Sequence, residues 1–324
     1  MSTSLSGRLT GSWSSADRWF FADAPAMRLA RFRVLTGAFA IGYLLVRLRV
    51  FLTLGDDADR GDFDPVGVLW WLQRPLAPGV VRALVVATLI LGVGYTLGVA
   101  FRFVGPLFAA ALLVVTTYHS SGGQLLWFEN LLVLHVLIVG MSRSADTFSL
   151  VSRRRPPPPH DVRYGWPLRL AAVTTVLTYM LAGLAKLRIG GLAWMNGDSL
   201  RNHVAYSAAR LRLLGGSPSP LASVLVEHAW IFPPLAALTI LVELGAPIAL
   251  IGRRCRRIWV AVIWMMHAAI LGTMYVVFPY PLSLVAFAPM FELEAISPRE
   301  IVQRVRRSSR RRPDTTRRLS TDDT

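Results

Sequence analysis

The sequence predicts an all-α fold, a polytopic bundle of about eight transmembrane helices. Hydrophobic residues make up 53% of the 324 residues, whereas charged residues make up only 17%. The mean hydropathy is +0.46. A chain with so little charge cannot cover the surface of a water-soluble protein of this size, so the membrane is its expected solvent.

Eight apolar stretches are the predicted spans, because a helix needs roughly 20 mostly apolar residues to cross the hydrocarbon core. The third and the eighth are short, which packing against neighbouring helices allows. The eighth is alternatively a re-entrant segment. The predicted spans are residues 34–54, 80–100, 103–118, 125–141, 168–187, 231–251, 258–277 and 281–291.

Arginine collects on alternate sides of these stretches, before the first span and after the second, fourth and sixth. The loop after the first span is instead rich in aspartate. Because cytoplasmic loops carry the excess of positive charge, we predict a plasma membrane protein with both termini in the cytoplasm. The arginines that define this side are Arg28, Arg31, Arg33, Arg102, Arg143, Arg153, Arg154, Arg155, Arg163, Arg253, Arg254, Arg256 and Arg257.

The chain divides into an N-terminal cytoplasmic or interfacial segment (1–29), a transmembrane domain (30–296) and an arginine-rich tail (297–324). The tail has too few apolar residues for a core, so we predict that it is disordered and drawn to anionic lipids. A simple topology anchor is the alternative. The net charge of +16 is spread in short runs between apolar stretches. This pattern favours topology signals over a nucleic-acid-binding face.

One lysine, Lys186, stands among 35 basic residues, and all the others are arginine. It lies near the end of the fifth predicted span. Arginine stays protonated, whereas a lysine amine in apolar surroundings can lose its proton and act as a base or nucleophile. The alternative is a lysine that extends to the membrane boundary and has no chemical role.

Further polar residues lie within predicted spans, where they are costly unless they face a partner or a water-filled cavity. They are Glu129, Asn130 and His135 in the fourth span, Glu243 in the sixth and His267 in the seventh. We expect Lys186 and these groups to surround one cavity that opens outward. For each group taken singly, a hydrogen bond between helices is the alternative.

The sequence contains no phosphate-binding glycine loop, no Gly-x-Ser-x-Gly motif and no His-x-x-x-His pair. The single cysteine, Cys255, excludes an intramolecular disulfide framework and a multi-cysteine metal centre. We therefore predict no metal site.

The segment from Tyr179 to Gly197 resembles the HTTM family, the membrane domain shared with vitamin K-dependent gamma-carboxylases. That family shows a Tyr-x-x-Ala-Gly-x-x-Lys-Leu helix followed by a Trp-x-x-Gly turn, here ending at Trp194 to Gly197. An Arg-x-x-x-Gly start of the first helix at Arg33, and the positions of Glu243 and His267, also agree. The resemblance covers approximately residues 30–291.

The resemblance implies that Lys186 is the base that deprotonates a reduced quinone, with menaquinone and vitamin K as the candidates. The candidate residues that bind this molecule are Tyr179, Trp194, Glu243, Glu129 and Asn130. The carboxylases carry a histidine after an asparagine where this chain reads Phe-Glu-Asn-Leu at 128–131. They also continue into a large luminal domain, so carboxylation of proteins is not expected here.

Two functional hypotheses follow. In the first, the protein is a bacterial-type membrane enzyme with quinone-dependent, carboxylase-like or oxygenase-like chemistry, in which Lys186 is the general base. Glu243 and His267 supply protons or hold the lysine. In the second, it is a non-enzymatic scaffold, a transporter or a partner in peptide export or maturation. The sequence identifies no protein partner.

Overall fold

A computed structural model describes residues 15–56, 63–122, 129–152 and 158–295. These residues form helices and short 3-10 segments, with one isolated β-bridge between Ala24 and Asp161. The predicted arginine-rich tail, the arginines at 153–155 and much of the aspartate-rich loop lie outside the described residues.

Nine helices of eight or more residues occur among the described residues, the first of them beginning at Ala26. They are α1 (Ala26–Val46), α2 (Pro78–Leu97), α3 (Phe101–Ser120), α4 (Asn130–Gly140), α5 (Val162–Gly190), α6 (Asp198–Leu213), α7 (Pro220–Glu227), α8 (Phe232–Leu244) and α9 (Arg253–Met274).

Five of these helices, α1, α2, α3, α5 and α9, are long and apolar enough to cross a membrane. A sixth span results if α7 and the helical residues 229–244 count as one, although the chain bends there by 93°. Helix α4 is apolar but has only 11 residues. The structure confirms a helical membrane bundle, whereas the predicted number of eight spans is not confirmed.

The predicted eighth span is not a continuous helix. Residues Pro279–Leu282 form one helical turn, and a 3-10 segment follows at Val285–Met290. Proline lacks the backbone N–H that a continuous helix requires, and Pro281 and Pro289 lie in these two turns. The 3-10 segment packs against α1 and α5. The segment follows α9 back toward the start of that helix, because Trp264 donates to the Leu282 backbone oxygen at 3.0 Å and Arg256 donates to that of Met290 at 2.6 Å.

The Arg-x-x-x-Gly pattern of α1 has a structural basis. The Arg33 side chain is fully buried and donates hydrogen bonds to the backbone oxygens of Ser144, at 2.7 Å, and Phe148, at 2.5 Å. At Gly37, an added Cβ would lie 2.2 Å from Thr96 Oγ1, so a larger residue would push α2 away. Arg33 therefore ties α1 to the chain after α4, and Gly37 allows α1 and α2 to cross closely.

Several of the predicted cytoplasmic arginines meet at one end of the bundle, which we call the arginine-rich end. Arg28 pairs with both carboxylate oxygens of Glu294. Arg253 pairs with Glu292 at 2.5 Å, and Arg256 donates to the Met290 backbone oxygen at 2.6 Å. One end of the bundle thus holds the starts of α1 and α9 and the chain after Val285–Met290. This agrees with the predicted alternation, in which successive spans cross the membrane in opposite directions.

Candidate functional site

One face of α5 carries the lysine motif. Tyr179, Gly183 and Lys186 are spaced by four and three residues, which places them above one another on a helix. An added Cβ at Gly183 would lie 3.0 Å from Glu243 Cβ and 3.1 Å from the backbone nitrogen of Leu244. Glycine at this position therefore lets α8 approach α5 closely and sets Glu243 opposite the lysine.

Lys186 and Glu243 form an ion pair between α5 and α8. The Lys186 ammonium donates to both carboxylate oxygens, at 2.7 and 2.6 Å. The Glu243 side chain is only 6% exposed, whereas that of Lys186 is 27% exposed. An unpaired carboxylate buried to this degree is strongly unfavourable, so each charge depends on the other. Part of the lysine surface remains open to a molecule outside the bundle.

Tyr179 and His267 form a second polar pair, between α5 and α9. The Tyr179 hydroxyl lies 2.8 Å from His267 Nε2. The tyrosine ring packs edge-on against Trp259, and the histidine ring lies 4.9 Å from that of Phe278. The other ring nitrogen, Nδ1, is buried and has no hydrogen-bond partner among the described residues. Since buried polar atoms are nearly always paired, Nδ1 is an exception among the described residues.

The two pairs belong to one cluster, which we call the Lys186 cluster. Trp259 contacts Tyr179 and donates a hydrogen bond of 3.0 Å to the backbone oxygen of Val242, next to Glu243. Lys186 also lies within electrostatic range of His267, and Glu243 lies within electrostatic range of Tyr179. The structure therefore brings together four of the predicted site residues, Lys186, Glu243, Tyr179 and His267.

Trp194 has a different position. It lies in the 3-10 segment Gly191–Asn196, and its ring centroid is 6.1 Å from that of His203 in α6. Within the described residues, no hydrogen bond or ring contact joins it to Lys186 or Tyr179. The turn ends at Gly197, whose φ of +87° favours glycine and whose added Cβ would lie 2.5 Å from the Phe232 carbonyl carbon. The Trp-x-x-Gly turn therefore docks the start of α8.

Glu129 belongs to a separate polar cluster between α1, α3 and α4. Its Oε1 accepts a hydrogen bond from the Tyr43 hydroxyl and lies 3.3 Å from His119 Nδ1. Arg47 in turn donates to the Tyr43 oxygen at 3.1 Å. The second oxygen, Oε2, is buried without a partner among the described residues. Asn130 follows as the exposed first residue of α4.

The expected single group of polar residues is therefore two clusters in the structure, because Glu129 contacts none of the Lys186 cluster in the described residues. Tyr43, Arg47 and His119 were not among the site residues predicted from the sequence. An arginine at the end of an apolar helix and a histidine at the end of the third predicted span were the available signals.

His135 shows how a fully satisfied histidine differs from His267. Its Nε2 lies 3.1 Å from the backbone oxygen of Ala171, so this nitrogen carries the hydrogen. Its Nδ1 then accepts a hydrogen bond from the Tyr280 hydroxyl at 2.7 Å. With both nitrogens paired, His135 holds α4 to α5 and to the helical turn at Pro279–Leu282.

Lys186 lines neither of two cavities found among the described residues. One has a volume of about 150 Å³ and lies at the arginine-rich end, and the other is a narrow gap beside Tyr118. Among the described residues, no group of three or more potential metal ligands occurs.

The amino-acid sequence matches the family model of the HTTM domain over residues 22–294. This range includes every residue of both polar clusters. Searches of curated proteins and of solved structures returned no match.

Proposed function

The chain is a multi-pass membrane protein that belongs to the HTTM family, and from that premise we propose that it binds a lipid-soluble, quinone-like molecule and removes a proton from it. The observation that carries this proposal is the pairing of the sole lysine with a buried carboxylate, close to a histidine nitrogen that has no partner among the described residues.

Lys186 acts as the general base in this proposal. A proton passed from the Lys186 ammonium to the Glu243 carboxylate leaves a neutral amine and a carboxylic acid, and apolar surroundings penalise the charged form of the pair. The neutral amine then accepts the proton of the ligand hydroxyl, which becomes an oxyanion while Lys186 becomes an ammonium. The balance of charge within the pair thus allows a lysine to alternate between its two forms inside a membrane protein.

His267 and Tyr179 position the ligand. The Tyr179 hydroxyl holds His267 Nε2 at 2.8 Å, and Nδ1 of the same ring is the atom that remains to bond a ligand oxygen. Reduced menaquinone and reduced vitamin K have the required phenolic hydroxyl and an apolar tail suited to lipid. Trp194 supports the site indirectly, through the turn that docks α8. Glu129 and Asn130 are a secondary binding position in this proposal.

The proposal extends to placement in the cell. The arginine-rich end faces the cytoplasm of a plasma membrane, because positively charged loops are retained there. Lys186 lies toward the opposite end of α5, on the outer side. The arginine-rich sequence at 297–324, which lies outside the described residues, binds anionic lipid on that side of the membrane.

A non-enzymatic role is the second candidate, and one observation favours it. The same ion pair ties α5 to α8 at their closest approach, so it also stabilises a scaffold on which a peptide or another membrane protein is assembled. In that case Lys186 remains an ammonium and takes no part in proton transfer.

Binding and turnover of reduced menaquinone and vitamin K by the detergent-purified protein separate the two candidates. Lys186→Arg keeps the positive charge and the pairing with Glu243 but cannot give up a proton. We expect this variant to stay folded and to lose turnover. Arg188→Lys, an exposed position two residues further along α5, is the matched control. Full turnover by Lys186→Arg excludes the base, and no binding by the parent protein favours the scaffold.

A further inference from the structure

A cleft of about 150 Å³ opens at the arginine-rich end, between the helical segment 15–20, α1, α5 and α9. Three guanidinium side chains line it, those of Arg28, Arg169 and Arg256, and Trp19 lies at its edge. This volume is large enough to hold a phosphate group.

Positive charge in this cleft exceeds the charge of its described carboxylates. Arg28 is paired with Glu294. Arg169 and Arg256 form no salt bridge with a described carboxylate, although Asp23 is within electrostatic range of Arg169 and Glu292 is within electrostatic range of Arg256. Arg28 repels both of them. Guanidinium groups held together in this way are stabilised by an anion from outside the chain.

The arginines are held in place by backbone oxygens and leave hydrogen-bond donors unused. Arg169 donates to the backbone oxygen of Ala22, and Arg256 donates to that of Met290 at 2.6 Å. The Nε of Arg256 is buried and has no partner in the part of the chain that the structure describes. Since a buried donor of a charged group is costly to leave unpaired, this atom indicates a missing acceptor.

Gly165 provides the space for this arrangement. An added Cβ there would lie 2.4 Å from the Arg169 guanidinium and 2.0 Å from the Ala22 backbone oxygen. A larger residue would displace both the arginine and the chain that it binds. The cleft is thus a built feature of the fold rather than a set of surface arginines.

We propose that this cleft binds the phosphate group of an anionic lipid, with Arg169 and Arg256 as its main ligands. Arginine matches phosphate geometry with paired N–H donors. The aromatic ring of Trp19 is half-exposed at the edge of the cleft, as is common for tryptophan at the level of lipid headgroups. This site is formed by the folded bundle and is independent both of the arginine-rich tail and of the proposed chemistry at Lys186.

Native mass spectrometry of the full chain, after incubation with vesicles of phosphatidylglycerol or phosphatidylcholine, tests the site. We expect the parent protein to retain phosphatidylglycerol and Arg169→Gln/Arg256→Gln to retain it about tenfold less well, since hydrogen bonds between charged groups are lost. The matched control is Arg102→Gln/Arg143→Gln, which removes the same charge from exposed positions. It should behave as the parent does.

A second arm identifies the source of the phosphate group. Inorganic phosphate is compared with chloride at equal ionic strength for its effect on the melting temperature of detergent-purified protein. Stabilisation of the parent but not of the cleft variant by phosphate alone, without lipid retention, assigns the site to a soluble phosphate and overturns the lipid. Equal lipid retention by parent, cleft variant and control overturns the site altogether.

A conservative variant covers the case in which the glutamine variant does not fold. Arg169→Lys/Arg256→Lys keeps both charges but loses the planar set of donors. We expect it to retain phosphatidylglycerol less well than the parent. Retention equal to that of the parent would show that charge alone is sufficient and would contradict the geometry proposed here.

Discussion

Helix α5 carries polar residues near both of its ends, and the two ends treat charge differently. Lys186, toward the C-terminal end, is matched by one buried carboxylate. Arg169, toward the N-terminal end, lies with Arg28 and Arg256 at a cleft that no described carboxylate lines. The two positions are about 26 Å apart along the helix. At Lys186 the charge is neutralised by a carboxylate of the protein itself, whereas the arginines at the other end remain able to bind an external anion.

The largest loss of stability is expected when the ion pair of Lys186 and Glu243 is broken. Glu243→Gln leaves the Lys186 ammonium without its buried carboxylate and should lower the free energy of unfolding by about 3 kcal/mol. The double variant Lys186→Met/Glu243→Leu should recover most of this loss, because no unpaired charge remains. Thermal unfolding in detergent measures the stability of both variants. A double variant as unstable as the single one would contradict the ion-pair explanation.

A smaller effect is expected at the glycine that brings the pair together. An added Cβ at Gly183 would contact α8 at 3.0 Å, whereas one at Gly42 in α1 would have no neighbour within 4 Å. Gly183→Ala should therefore destabilise the protein by about 1 kcal/mol. Gly42→Ala should stabilise it by about 0.5 kcal/mol through helix propensity. Melting temperatures that rise in both variants would show that α8 moves away without cost.

The smallest effect is expected from acid at the arginine-rich end. Burial raises the pKa of the Glu294 carboxyl, but hydrogen bonds and charge from Arg28 outweigh it and hold the pKa below its usual range. The contribution of Glu294 to the free energy of unfolding is therefore fully present above the pKa that this carboxyl has in the unfolded chain, and it is lost as the pH falls through its pKa in the folded protein. Because solvent screens the pair with Arg28, we expect this contribution to be about 0.5 kcal/mol.

Glu294→Gln checks this prediction. Melting temperatures recorded between pH 6 and pH 3 should fall less steeply for this variant than for the parent, since its side chain no longer takes up a proton. Identical slopes would remove Glu294 from the acid response.

The motif on α5 could be predicted from sequence because helical spacing alone places Tyr179 and Lys186 on one face. Their partners were found as polar residues in apolar stretches, but the pairing of Glu243 with Lys186 depends on how α8 crosses α5 at Gly183. The position of Glu129 in another cluster depends in the same way on α1 and α3. Crossings of this kind leave no periodic signal in one sequence.

Helix ends were the least predictable part of the fold. Helix α1 starts at Ala26 and α9 at Arg253, before their apolar stretches begin. Backbone hydrogen bonding continues through arginines that lie at the membrane boundary, so hydropathy underestimates helix length there. Helix α8 is the opposite case, since Gly245 and Pro247 end it within an apolar stretch.

The shortness of α8 has a consequence for the lipid around Lys186. Its 13 residues span about 20 Å, so α8 alone is shorter than the hydrocarbon core of about 30 Å, and the 3-10 segment Ala246–Leu250 continues the crossing. A bilayer thicker than this combined length is thinned locally beside the helix. We expect water to approach the amine more closely in membranes of short acyl chains than in those of long ones. Acyl-chain length thereby becomes an environmental variable that acts on the one lysine of the chain.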